Sequence, residues 1–100
     1  MRVHWTSEAR AQLKAIENYI AGDSVSVARN TIRRLLMRCG QIGDLPYTGR
    51  KVPEFERDDL RELLERPYRI VYRIRENQDQ VDIVTVWHYR RLLPAKAIGH

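Results

Sequence analysis

An α+β fold is predicted for this 100-residue chain: a short strand, two consecutive helices, then three strands. Three observations carry the prediction. Apolar residues between Ala9 and Ile42 recur at helical spacing. Those between Leu60 and His88 alternate, or run in blocks short enough for strands. A stretch rich in proline and glycine separates the two regions, so helices and strands are segregated rather than interleaved. The predicted order β-α-α-β-β-β lays an αα-hairpin on one face of an antiparallel sheet.

Arg2 to Trp5 alternates and reads as the first strand. Thr6 is placed to cap the helix that follows, and Glu8 sits in its first turn, where a carboxylate suits the helix dipole. Ala9, Leu13, Ile16 and Ile20 form one apolar stripe, and Gly22 ends the helix. Ser24 is placed to cap the second helix. Its stripe is Ala28, Ile32, Leu35, Leu36, Cys39 and Ile42, with Arg29, Arg33 and Arg38 turned outward. The short link between the helices requires them to run antiparallel. From Gly43 to Asp59 the periodicity stops, and Pro46, Pro53, Gly43 and Gly49 mark a loop, long for a compact domain. Leu60–Glu65, Tyr68–Arg75 and Val81–His88 read as strands, with a turn over Asn77–Gln80. On the middle one Tyr68, Ile70, Tyr72 and Ile74 share a face directed at the helices. Arg69, Val71, Arg73 and Arg75 share the other, which is expected to be wet and basic. The last strand is apolar on both faces, which places it centrally in the sheet.

One domain, 1–100, accounts for the length. The apolar fraction of 43% suits a folded globule. Cys39 stands alone, so an internal disulfide and a cystine-stapled secreted scaffold are excluded. No apolar run approaches a bilayer span and no signal-peptide core opens the chain, so a soluble cytoplasmic protein with no membrane association is expected. The formal net charge is +5, and 15 of the 18 basic residues are arginines. Arginine grips phosphate and carboxylate in a flat fork, which favours a nucleic acid or an acidic protein as partner. Six of the 13 acidic residues lie between Glu54 and Glu65, so any such contact is local rather than a coat of positive charge.

The densest chemistry is in PYRIVYRIRENQDQVDIVTVWHYRRLLP, residues 67–94, a hairpin ending in His88, Tyr89, Arg90 and Arg91. The histidines (His4, His88 and His100) and Cys39 show no metal-ligand spacing, and no phosphate-binding glycine loop or nucleophile elbow is present, so no metal or cofactor is expected.

In element order and in several short matches, the chain resembles the RelE/ParE family of toxins from bacterial toxin–antitoxin modules. The matches are Trp5-Thr6 with Ala9, Tyr19-Ile20-Ala21, Pro46 with Gly49-Arg50 and Glu54, Arg61-Glu62, Tyr68-Arg69-Ile70 with Tyr72, and His88 with Arg90 and Arg91. The long helical hairpin, the Pro46–Gly49-Arg50 loop and the His-x-Arg-Arg ending are closer to the ParE branch. That resemblance implies a type II toxin that inhibits DNA gyrase by binding, without cutting anything itself. It also implies a cognate antitoxin that reaches operator DNA on the toxin's behalf. The target-binding residues it suggests are Arg50, Arg69, Arg73, His88, Arg90 and Arg91. Arg69, Arg73, Arg90 and Arg91 would also meet acidic antitoxin residues, with an amphipathic helix along the αα-hairpin or an extended piece on a sheet edge.

The RelE branch implies the alternative of a ribosome-dependent mRNA endonuclease. Such chemistry needs proton transfer and cations for the phosphate charge. His88 and Tyr89 would supply the first, and Arg61, Arg69 and Arg73, with Arg90, the second. Neighbours on an extended strand point to opposite faces, which works against a joint role for His88 and Tyr89. Eleven residues follow Tyr89, a departure from the relatives that end in a similar pair. A non-toxic antitoxin-binding relative is the third reading. Blander roles stand beside these: His88 bonded to a carbonyl at a strand end, Tyr68 and Tyr72 as core rings, Arg61 and Arg69 as cross-strand partners of Glu62 and Glu65, and Glu54 and Glu56 as solvated loop charges.

Overall fold

The computed structural model describes residues 1–93. Strand β1 (Arg2–Trp5) leads into helices α1 (Ser7–Ala21) and α2 (Val25–Asp44). A 3₁₀ turn (Pro46–Thr48) and a two-residue strand β2 (Arg50–Lys51) follow, then β3 (Leu60–Glu65), β4 (Tyr68–Arg75) and β5 (Gln80–His88). The sheet order is β1-β5-β4-β3-β2. The α+β class and the helical hairpin stand as predicted, and β5 lies inside the sheet, between β1 and β4. Two features differ from expectation. The loop contributes an edge strand, β2, and β1 pairs parallel to β5 from Arg2↔Gln80 to Trp5↔Ile83, so the sheet is mixed. The helices deliver the chain to the end of the sheet where β1 began, the Met1 ammonium donating to the Gly43 carbonyl at 2.9 Å, and the alternating run of β3, β4 and β5 then leaves β5 parallel to β1.

Both helix caps form as read. Thr6 Oγ1 accepts the Ala9 N–H at 3.2 Å, and Ser24 Oγ accepts that of Val27 at 3.2 Å. Thr6 has a second task. The β4–β5 ladder jumps from Val71↔Thr85 to Tyr72↔Ile83, leaving Val84 as the extra residue of a bulge. The Thr6 hydroxyl donates to the Ile83 carbonyl at 2.8 Å, and the Gln12 side-chain oxygen accepts the Val86 N–H at 3.0 Å and also bonds the Thr85 hydroxyl. Helix α1 thus supplies the partners that the irregular ladder lacks.

The helices cover a core of Ala9, Leu35, Cys39, Ile42, Ile70, Tyr72, Ile74, Val81, Ile83 and Val86. The end of α2 passes close over β1: a Cβ on Gly43 would stand 2.7 Å from the Met1 carbonyl oxygen and 2.9 Å from a Val3 methyl, so only glycine fits. Leu36, read as part of the buried stripe, is 47% exposed.

The other face of the sheet is not the wet, basic surface that alternation predicts. Val52, Leu60, Val71, Val84 and Leu93 are buried there, with Phe55 and Trp87 packed against them. The segment after β2 and the stretch after β5 fold over this face and make a second, smaller core. No helix among the described residues is long and apolar enough to cross a membrane.

Candidate functional site

The second core rests on a charged network. Arg69 is only 4% exposed. Its guanidinium grips Glu54 with two hydrogen bonds, of 2.7 and 2.9 Å, and lies 2.6 Å from Glu62. Glu62 in turn receives Arg50, Nη2 to Oε2 at 2.6 Å. Burial works against the charge on Arg69, and the Glu54 and Glu62 carboxylates more than offset it, holding the guanidinium above its ordinary range. Arg69 holds the Glu54 carboxyl down to about 2, with burial opposing and the Leu93 amide adding to the effect. Glu54 is therefore no solvated loop charge. Arg69, expected to face the target, the antitoxin or a phosphate, is spent inside the protein.

Beyond this network, at the end of the sheet where β4 begins and β5 ends, lies the exposed basic surface. The strand stops at His88, and the Tyr89 N–H donates to the Pro67 carbonyl at 2.9 Å. Because the extended run has ended, the rings of His88 and Tyr89 are not on opposite faces: they stack, with centroids 5.3 Å apart and planes 20° apart. Arg66 and Arg90 lie over the Tyr89 ring at 5.5 and 5.4 Å, and Arg91 over Trp87 at 5.3 Å. Among the described residues no carboxylate pairs with Arg66, Arg90 or Arg91. Among the described residues the His88 ring bonds no carbonyl, and its Nδ1 accepts the Arg90 N–H at 3.2 Å. Tyr68 meets His88 edge-on at 6.4 Å, and burial raises its phenol pKa.

A family model described as "ParE toxin of type II toxin-antitoxin system, parDE" matches residues 3–93. The chain belongs to the ParE toxin family. Among solved structures, a chain of the "Chromosomal ParDE TA system from P. aeruginosa" superposes with a TM-score of 0.72 at 23% identity, the match covering 88% of this chain and 95% of that one. At that identity the likeness is one of fold. No curated protein sequence matches.

Of the target residues inferred from sequence, this ParE-family chain brings His88, Arg90 and Arg91 together. Arg50 pairs with Glu62 on the β2 edge. Arg73 sits opposite Asp82, five residues along β4 from Tyr68 and so about 17 Å from the basic end. Burial and the neighbouring Arg57 and Arg75 pull the Arg73 pKa down. Arg61, a member of the nuclease set, donates to the Asp58 carbonyl at 2.9 Å and covers the Tyr47 ring at 5.2 Å. Arg61, Arg69 and Arg73 are thus not assembled around His88 and Tyr89. Sequence reasoning passed over Arg66, which stands in the β3–β4 turn. Its signal was available: the turn joins two antiparallel strands, so it must lie beside the residues that follow β5. His100 and Lys96 lie outside the described residues.

Proposed function

We propose that this ParE-family toxin arrests bacterial growth by binding DNA gyrase through Arg66, His88, Arg90 and Arg91, and that it acts in the cytoplasm. One observation carries the reading: three guanidiniums, each seated on an aromatic ring and none neutralised by a carboxylate of the described residues, share one end of the molecule. Such a surface suits an acidic or phosphate-bearing macromolecule. Purified protein should inhibit gyrase supercoiling and let cleaved DNA accumulate. Arg90→Ala with Arg91→Ala should weaken inhibition while the melting temperature holds, because these side chains carry little packing. A double variant as inhibitory as the parent would exclude this end as the contact.

A cognate antitoxin neutralises the toxin in this reading and is its only link to operator DNA. The hairpin offers a seat: an open groove of about 470 Å³ lined by Glu17, Arg29, Ile32, Arg33, Leu36 and Met37. Its apolar floor and arginine rim suit an amphipathic, acidic helix. Saturating antitoxin should raise the melting temperature by several degrees, and Met37→Asp should lower its affinity.

The stacked His88 and Tyr89 favour a second reading, a ribosome-dependent mRNA endonuclease with Arg66 and Arg90 as the cations. Cleavage of mRNA on programmed ribosomes, abolished by His88→Ala, would support it over gyrase binding. Growth unaffected by induction, with the antitoxin complex intact, would leave a non-toxic binding module.

A further inference from the structure

Glu54 is set in the loop after β2, far in sequence from the basic end, and yet it touches the backbone that carries that end. Its Oε1 accepts from Arg69 Nη2 at 2.7 Å, and its Oε2 accepts both Arg69 Nη1 at 2.9 Å and the Leu93 N–H at 2.9 Å. Arg69 Nη1 also donates to the Arg91 carbonyl at 3.3 Å. The chain after β5 is therefore tied at two backbone points, 91 and 93, to one buried ion pair. The Leu93 side chain, 6% exposed, is anchored among Val52, Leu60, Val71 and Val84. Between β5 and these ties the side chains of Arg90 and Arg91 face outward, over Tyr89 and Trp87.

We propose that Glu54 is the positioning residue of the basic end: by holding Arg69 and the Leu93 amide together, it fixes Arg90 and Arg91 in the orientation that meets the target. The inference rests on the reading of that end as the target contact. Glu54 itself touches no ligand. Its carboxylate joins the loop, strand β4 and the segment after β5. A neutral amide cannot hold the guanidinium fork with two charged oxygens and also serve the Leu93 N–H. Fixing the segment in advance removes an ordering cost from binding.

The test combines backbone dynamics with inhibition of gyrase supercoiling by Glu54→Gln. In the parent, NMR order parameters at Arg91 and Leu93 should match those of rigid strands, about 0.85; in the variant they should fall below about 0.6 while Val71 and Val86 stay rigid. The concentration giving half inhibition should rise roughly tenfold in the variant, and the same change in an Arg90→Ala, Arg91→Ala background should add nothing, because Glu54 acts only through those side chains. Order parameters at 91 and 93 that stay high in Glu54→Gln overturn the proposal. So does an equal further loss of inhibition in the double-alanine background, which would mark a general structural role. Should Glu54→Gln fail to fold, Glu54→Asp, one methylene shorter, keeps the charge on Arg69 and should free Leu93; an unchanged Leu93 there overturns the proposal. If the double-alanine change leaves inhibition intact, the target reading fails by itself, while the order parameters still decide whether Glu54 holds the segment.

Discussion

The hydroxyl of Tyr72 accepts the backbone N–H of Gly49 at 3.0 Å, in a site closed to solvent. The same hydroxyl donates to the Pro46 carbonyl at 2.6 Å. One phenol thus fixes the loop that brings Arg50 to Glu62. Tyr72→Phe leaves a buried donor and a carbonyl without their partner, a loss of about 1–3 kcal/mol. Gly49→Ala should cost more, because its Cβ would collide with the Tyr72 hydroxyl and stand 2.7 Å from the Glu62 carbonyl oxygen. Urea titrations of the two variants should show both losses, in that order.

Glu54 links stability to acid. Its carboxyl lies near 4.5 when unfolded and at about 2 when folded. A depressed folded value means the stabilisation is fully present above about pH 4.5 and fades as the pH falls toward 2, by an amount on the order of 3 kcal/mol. Asp82 works in the same direction: burial opposes its charge, but hydrogen bonds from Gln80 and Arg75 more than offset that and lower its pKa. The stability difference between parent and Glu54→Gln should therefore be widest near neutrality and shrink between pH 4.5 and pH 2. Thermal melts across that range would reveal a flat difference if the linkage were absent.

Adjacent leucines on α2 should behave as opposites. Leu35 is 0% exposed and Leu36 is 47% exposed. Leu35→Ala should destabilise by about 2–5 kcal/mol through the void it leaves. Leu36→Ala should stay within about 0.5 kcal/mol of the parent and instead weaken antitoxin binding, as calorimetry with the antitoxin would show.

Cys39 offers an internal probe of opening. Its thiol is 1% exposed, and burial pushes its pKa up to about 12, so the native protein holds almost no thiolate. Alkylation should be negligible in buffer and should rise in step with urea unfolding. Rapid labelling of the folded protein would contradict this packing.

The helices and main strands were legible because each carries its own periodicity: Ala9 and Leu13 repeat on one stripe, and Ile70 and Tyr72 on one strand face. Thr6 and Ser24 announced their caps by residue type. The second core was not legible. Arg69 alternates with Ile70 as a solvent-facing residue would, and its burial is accounted for by Glu62 on the neighbouring strand and by Glu54, 15 residues earlier in an aperiodic loop. Leu36 was misassigned for a related reason. Leu36 stands at the margin of the α2 stripe, where it lines the open groove with Ile32 and with Glu17 of α1. The stacking of His88 on Tyr89 depended on where β5 stops, and that is decided by the Pro67 carbonyl, a backbone group of another turn. In each case the missing information was tertiary.

The parallel pairing of β1 with β5 joins residues nearly eighty positions apart, as in Arg2 with Gln80. Local contacts can assemble the helical hairpin early, whereas the first strand finds its neighbour only after the last one has been made. A ribosome building this chain therefore holds an incomplete sheet until β5 has emerged, and the surface formed where β5 terminates cannot take shape before then.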